Sequence, residues 1–229
     1  MTQLLQIAID GPVGSGKSDI SKALAKELGI TFVYTGAMYR ALTHECMRRD
    51  IRLTHVPDII AVLKSMEIEL ESPKPDSRFP VTVLVNKEDV TSHLFEPIVD
   101  NAVPEISKIP EVRRIMVERQ QQIAASKSVV MEGRDIALRV LPNAQMKIYL
   151  TAPVEERARR RWNQLKAQGI MKSLVEVIEN TKLRDIQDTV RKTDPLIKAP
   201  DAWEYDTNGN SVEKSVADIK AEIKRRGLI

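Results

Sequence analysis

Eight consecutive residues, Gly11-Pro12-Val13-Gly14-Ser15-Gly16-Lys17-Ser18, carry the clearest chemistry in this chain. They fit the pattern G-x-x-x-x-G-K-[ST] in full. The glycines let backbone N–H groups turn inward around a β-phosphate, at a helix N-terminus whose dipole favours anions. Lys17 has the length to reach β- and γ-phosphates, and Ser18 can offer its hydroxyl to Mg²⁺. The pattern points to ATP or GTP with Mg²⁺. Glu132, behind the apolar run 128–131, is placed like an acid that steadies a magnesium water shell. Asp10 is its rival for that role, or orients backbone groups of the loop.

Arginines beside acids recur along the rest of the chain. Thr35 and Arg40 open a helical stretch after a short apolar run, and both could face an anion. Arg134 and Asp135 follow the run at 128–131. Arg184, Asp188 and Arg191 are spaced 4 and 3, so they share one helical face. Arg157, Arg160 and Arg161 fall within about a third of a turn of one another. Each set alone is explained by a solvated face with ion pairs of about 0.3–0.5 kcal/mol. Four such sets in a chain holding a phosphate loop suggest more. Phosphoryl transfer needs positive charge around the moving group, and an acceptor that is itself a phosphate needs still more.

The elements that must position these residues alternate between strands and helices. Residues 4–9 read as a buried strand running into the glycine loop, and 17–28 as a helix closed by Gly29. Residues 32–34 read as the next strand. A helix follows to about Arg49, with Thr35 as its N-cap. From about 58 to 91 the texture changes: 66–70 and 81–85 look like short strands around proline-rich turns. Helices are expected near 94–103 and 111–124, and buried strands at 128–131 and 146–150. Further helices are expected over 155–168, over 173–190 behind the capping box Ser173-x-x-Glu176, and over 211–226. This alternation implies an α/β fold with a parallel core sheet and helices on both faces.

Composition narrows the class. The 229 residues are 42% hydrophobic and 29% charged, which suits one globular domain. A balance of 35 basic to 32 acidic residues is too even for a broad nucleic-acid face. Cys46 is the single cysteine, so no intrachain disulfide forms and a reducing, cytoplasmic setting fits. The three histidines lack metal-ligand company. No apolar run is long enough to span a membrane, and the first six residues do not read as a signal peptide.

Asn86-Lys87-Glu88-Asp89 matches N-K-x-D, the guanine-reading tetrapeptide of GTP-driven switches. No D-x-x-G lies between Ser18 and Asn86, and the match sits inside the turn-rich segment. A turn in a small β-insert is the preferred reading.

The chain resembles the bacterial cytidylate (CMP/dCMP) kinases, a family of nucleoside monophosphate kinases. The resemblance is carried by Ile9-Asp10-Gly11-Pro12 with the loop, Thr35-Gly36-Ala37-Met38-Tyr39-Arg40, and Ile109-Pro110-Glu111-Val112-Arg113. It continues through Met131-Glu132-Gly133-Arg134-Asp135, the run from Pro142 to Leu150, and Glu155-Glu156-Arg157-Ala158-Arg159-Arg160-Arg161. Arg184-Asp185, Asp188 and Arg191 complete it.

The resemblance implies a P-loop three-layer α/β/α domain over 1–229, with an NMP-binding insertion at about 58–101 and a lid at about 153–172. It implies transfer of the γ-phosphoryl of MgATP to CMP or dCMP by a monomer that binds no nucleic acid. Thr35, Arg40 and Arg134 would hold the acceptor phosphate, helped by Arg191. Arg184 and Asp188 would bind ribose, while Arg113 and Asp135 would read the base. Arg157 and Arg161 would stabilise the transferring group from the lid. Another acceptor, such as UMP or a non-nucleotide alcohol, is the alternative within kinases.

Three departures bear on those roles. Pro104 stands where the family usually has a cytosine-contacting serine, and proline offers neither hydroxyl nor N–H. Ile136-Ala137-Leu138 replaces an isoleucine or methionine, glycine, threonine run. Asp19 replaces a threonine and puts negative charge beside the loop.

Overall fold

The computed structural model describes residues 4–167 and 169–229. The leader reading at residues 1–3 and the expected helix end at 168 lie outside the described residues. In order, the chain forms β1 (Gln6–Asp10), α1 (Lys17–Leu28), β2 (Thr31–Tyr34), α2 (Thr35–Arg48), α3 (Val56–Ser65), β3 (Ile68–Glu71), β4 (Thr82–Val85) and β5 (Glu88–Asp89). It continues through α4 (Thr91–Leu94), α5 (Pro97–Ser107), α6 (Pro110–Ser126), β6 (Val129–Gly133) and a π-helical turn (Ile136–Val140). The last elements are β7 (Met146–Thr151), α7 (Val154–Ala167), α8 (Leu174–Val190), β8 (Trp203–Asp206) and α9 (Val212–Arg225). The chain divides into two compact units, Met1–Thr31 with Lys127–Ile229, and Phe32–Ser126.

The first unit is an α/β layer structure on parallel strands in the order β6-β1-β7-β8. Ile7, Ala8 and Ile9 of β1 are fully buried, as are Val129, Val130 and Met131 of β6. Such continuous apolar runs are what strands covered on both faces require. Their register pairs Ile9 with Glu132 and Asp10 with Gly133, so both acids emerge at the same end of adjacent strands. Helix α1 buries Ile20, Leu24 and Ala25 and packs on β6 and α9, and Gly29 closes it in the left-handed region. Strand β8 was not foreseen, because Trp203-Glu204-Tyr205-Asp206 alternates aromatics with acids rather than running apolar. Helix α8 opens with the expected capping box: Glu176 N–H donates to Ser173 Oγ and Ser173 N–H to Glu176 Oε2.

The second unit packs α2 against α3, α5 and α6 over a core that includes Leu42, Ile59, Leu63, Ile106 and Met116. Its strands form the antiparallel order β3-β4-β5. The expected helix at 94–103 is two helices, because Pro97 has no N–H to continue α4 and instead sits in the first turn of α5. Helix α3 was hidden in the segment read as β-rich. Thr35 is not the N-cap of α2: it is already helical, and extended Tyr34 holds the cap position without a side-chain bond. Asn86 and Lys87 have φ of 49° and 71°, which makes them the two central residues of a type I′ hairpin turn. Asn86 Oδ1 accepts from Glu67 N–H, and Asp89 accepts from Thr91 and Lys74. The N-K-x-D match is a hairpin joining β4 to β5.

Candidate functional site

The phosphate loop follows β1 and is shaped by close backbone approaches. Gly11 lies at φ 153°, and a Cβ there would stand 2.3 Å from Leu150 O. Gly14 lies at φ 76°, where a Cβ would meet Arg157 O at 2.7 Å. Helix α1 then begins at Lys17 behind Gly16, which makes no side-chain cap bond, and a helix N-terminus of this kind favours an anion. Lys17 is buried, and its Nζ donates to Pro12 O at 2.6 Å. Burial, then the nearby Arg134 charge, push its pKa well below the ordinary lysine value, while Glu132, Asp188 and Asp10 oppose the shift.

Two buried acids flank the loop and do different work. Glu132 on β6 accepts a hydrogen bond from the Ser18 hydroxyl. Burial raises its pKa; Lys17 and Ser18 counteract that. Asp10 accepts the backbone N–H groups of Ile136 at 2.9 Å and Ala137 at 2.8 Å. It thereby fixes the π-helical turn that follows Asp135, and burial pushes its pKa up to about 6. Of the two carboxylates, Glu132 is the one beside the Ser18 hydroxyl. A serine hydroxyl and one carboxylate are hard oxygen donors of the kind Mg²⁺ takes when phosphates and water complete its shell. Among the described residues no group of three acids, histidines or cysteines gathers as a self-sufficient metal site.

Beyond β6 the predicted acceptor residues of the first unit come together. Arg134 Nε donates to Asp188 Oδ2 at 2.8 Å, and Arg191 Nη2 lies 3.7 Å from Asp135 Oδ1. Arg191 Nε also donates to Asp194 O at 2.6 Å, which fixes the chain as it leaves α8. Burial works against an ionised Asp188, but the charges of Arg134, Arg184 and Arg191 outweigh it and hold its pKa below the usual carboxylate value. Arg184 belongs to this field by that interaction.

The second unit holds the other predicted acceptor residues. Thr35 is buried at the start of α2. Arg40 donates to Asp100 and, at 3.1 Å, to Leu94 O, with its guanidinium 5.4 Å over the Phe95 ring. Arg113 on α6 is buried, donates to Ser107 O at 3.2 Å and lies 5.8 Å over the Tyr39 ring. Pro104 stands inside α5, one turn after Asp100.

The α7 arginines separate by environment. Arg157 is buried and bonded to Ala152 O, Val13 O and Asp185. Arg160 donates to Thr207 Oγ1 and O, and Thr207 Oγ1 in turn donates to Ser15 O. Arg161 is half-buried. Asp100, Asp185 and Thr207 escaped the reading of the residues as functional positions. Asp185 lay beside Arg184 in a quoted motif, but nothing in one sequence shows which arginine an acid will meet.

A family model described as cytidylate kinase matches residues 7–225. The cytidylate kinase of Caldanaerobacter subterraneus subsp. tengcongensis is 43% identical over 96% of this chain and 95% of its own. That of Desulfitobacterium hafniense is 45% identical over 96% and 92% respectively. A solved structure of an uncharacterized protein from Eubacterium ventriosum matches with a TM-score of 0.52 at 13% identity, covering 97% of this chain and 99% of that one, and supports the fold alone. With a phosphate loop on β1, an acid on β6 at its serine and arginine–carboxylate pairs beyond, the chain belongs to the cytidylate kinase family.

Proposed function

We propose that this enzyme transfers the γ-phosphoryl group of ATP to CMP or dCMP, yielding ADP and the corresponding diphosphate. The observation that carries the reading is the junction of Lys17, Ser18 and Glu132 with the Arg134–Asp188 pair at the ends of β1 and β6. One buried cation on the donor side and several on the acceptor side match a reaction whose charge spreads over the phosphoryl oxygens. Phosphates bring negative charge beside Lys17 and so favour its charged form against the burial that opposes it.

In this reading Gly11, Pro12, Val13, Gly14, Ser15, Gly16, Lys17 and Ser18 hold the ATP phosphates. Ser18 and Glu132 would hold Mg²⁺, which would supply positive charge against that of the phosphates. Thr35, Arg40, Arg134 and Arg191 take the acceptor phosphate, Arg184 and Asp188 the ribose, and Arg113 and Asp135 the base. Lys17, Arg134, Arg161 and Arg191 face the transferring group, whereas Arg157, expected among them, has its guanidinium bonded to Ala152 O, Val13 O and Asp185 and supports the loop. The lid is 153–172 and the acceptor-binding insertion 58–101. No covalent enzyme intermediate is needed, since positioning and charge suffice. One chain carries the donor loop and every acceptor residue, so a monomer is sufficient. The lone cysteine, Cys46, is buried with its thiol pKa raised to about 11, in keeping with a reducing cytoplasm.

A coupled ADP-release assay across CMP, dCMP, UMP, AMP, GMP and shikimate tests this directly. CMP and dCMP are expected to exceed the others in kcat/KM by orders of magnitude. Dominance of UMP or shikimate would overturn the acceptor assignment.

A further inference from the structure

Helices α7 and α8 meet at one ion pair that also reaches the phosphate loop. Arg157 Nη1 and Nη2 donate to the two carboxylate oxygens of Asp185 at 3.0 and 2.7 Å. Nε donates to Ala152 O at 2.9 Å, where β7 turns into α7. Nη1 donates to Val13 O at 3.0 Å, inside the loop. The same residue's backbone closes the gap further, since a Cβ on Gly14 would lie 2.7 Å from Arg157 O and 2.9 Å from its Cβ. These bonds occupy Nε, both hydrogens of Nη1 and one of Nη2. A guanidinium so committed, and only 6% exposed, acts as a strut.

The far end of the strut is α8. Asp185 follows Arg184 directly, and Asp188 lies three residues further along, bonded to Arg134. The helix bearing the predicted ribose residues is therefore fastened at two points. Asp185 fastens it to the donor loop through Arg157, and Asp188 fastens it to the arginine at the end of β6. We infer that Asp185 is a positioning residue: through Arg157 it sets the place of the phosphate loop relative to the helix that carries Arg184 and Asp188. In-line transfer needs the reacting atoms about 3–3.5 Å apart, and a misplacement of about 1 Å costs on the order of 10²-fold. A bidentate arginine–carboxylate pair has the geometric specificity for that task.

This inference rests on the kinase reading above, and the experiment separates the two. Steady-state constants for ATP and CMP are measured for wild type, Asp185→Asn, Arg157→Lys and the double variant. Equilibrium binding of a fluorescent ATP analogue with Mg²⁺ is measured alongside, without acceptor. Asparagine keeps the shape of Asp185 but loses its charge and one acceptor, so the loop is released while Arg184 and Asp188 stay. Asp185→Asn is expected to weaken nucleotide binding and raise KM for ATP by about tenfold, the scale of one charge-assisted bond. KM for CMP is expected to stay within about twofold, and kcat to fall. Arg157→Lys should act in the same direction, and the double variant should be no worse than the more impaired single one.

Unchanged nucleotide binding in Asp185→Asn overturns the inference, as do equal rises in both KM values or additive losses in the double variant. If Asp185→Asn does not fold, Arg157→Lys alone decides by the same split between the two KM values. A wild type that binds the nucleotide but leaves CMP unphosphorylated sinks the acceptor reading. The binding comparison between the variants then still decides the role of Asp185.

Discussion

Arg40 Nη2 lies 2.5 Å from Asp100 Oδ1, a pair in which both side chains are about seven-eighths buried. The arginine expected to hold an acceptor phosphate thus already faces a carboxylate. It is also held by Leu94 O, the Phe95 ring and the Tyr34 hydroxyl, so its orientation does not depend on Asp100 alone.

Removing that carboxylate's charge should therefore favour the acceptor. Asp100→Asn is expected to lower KM for CMP by about three- to tenfold, the scale of one competing charge in a partly buried site. Arg40→Ala should raise the same constant by tenfold or more. Initial-rate measurements at saturating ATP decide between this and a role in which Asp100 merely holds Arg40 in place, for which KM would rise in both variants.

Lys17→Met should cut kcat by at least about 10²–10³-fold, the usual cost of one preorganised charge at a transferring group. The variant should retain its circular dichroism spectrum, because methionine fills the aliphatic part of the same buried space. Turnover near that of wild type would remove the loop from the mechanism.

Asp10 gives a pH signature with a definite sign. Its pKa is raised from 3.8 to about 6 in the folded protein, chiefly by burial. Between about pH 4 and 6 the folded state keeps a proton that the unfolded chain releases. Its contribution is full below about pH 4 and is lost as pH rises through about 6. Wild type is then expected to lose up to about 3 kcal/mol relative to Asp10→Asn between pH 4 and 7. Urea unfolding of both proteins across that range measures the difference; a flat difference would show that Asp10 does not titrate there.

Lys87 sits at φ 71° in the β4–β5 turn, a region that favours glycine. Lys87→Gly is expected to stabilise the protein by about 0.5–1 kcal/mol, since relief of left-handed strain exceeds the added backbone freedom. The kinetic constants and the preference for ATP over GTP should not change. A shift in nucleotide preference would return the N-K-x-D match to consideration.

Periodicity sufficed where one element's own residues determine it. The apolar runs of β1, β6 and β7, Gly29 after α1 and the Ser173–Glu176 box each appear in the structure near where the sequence places them. It failed where a tertiary partner decides. Trp203-Glu204-Tyr205-Asp206 becomes a strand because β7 offers it a ladder, and α3 forms because Ile59 and Leu63 find a core. The phosphate loop was legible because its conformation is encoded in its own glycines. The pairings Arg40–Asp100, Arg157–Asp185 and Arg134–Asp188 were not, since they join residues 28 to 60 positions apart.

Thr31 N–H donates to Ser128 O at 3.1 Å. Those two residues, both in the first unit, bracket the whole of Phe32–Ser126, so the points where that segment is inserted lie side by side. A segment whose ends are held side by side can be lengthened, shortened or exchanged at little loop-closure cost to its host. Strand β1 with the phosphate loop, and strand β6 with Glu132, lie outside that segment. Evolution could vary the surroundings of Thr35, Arg40 and Arg113 as a cassette while leaving the donor loop in place.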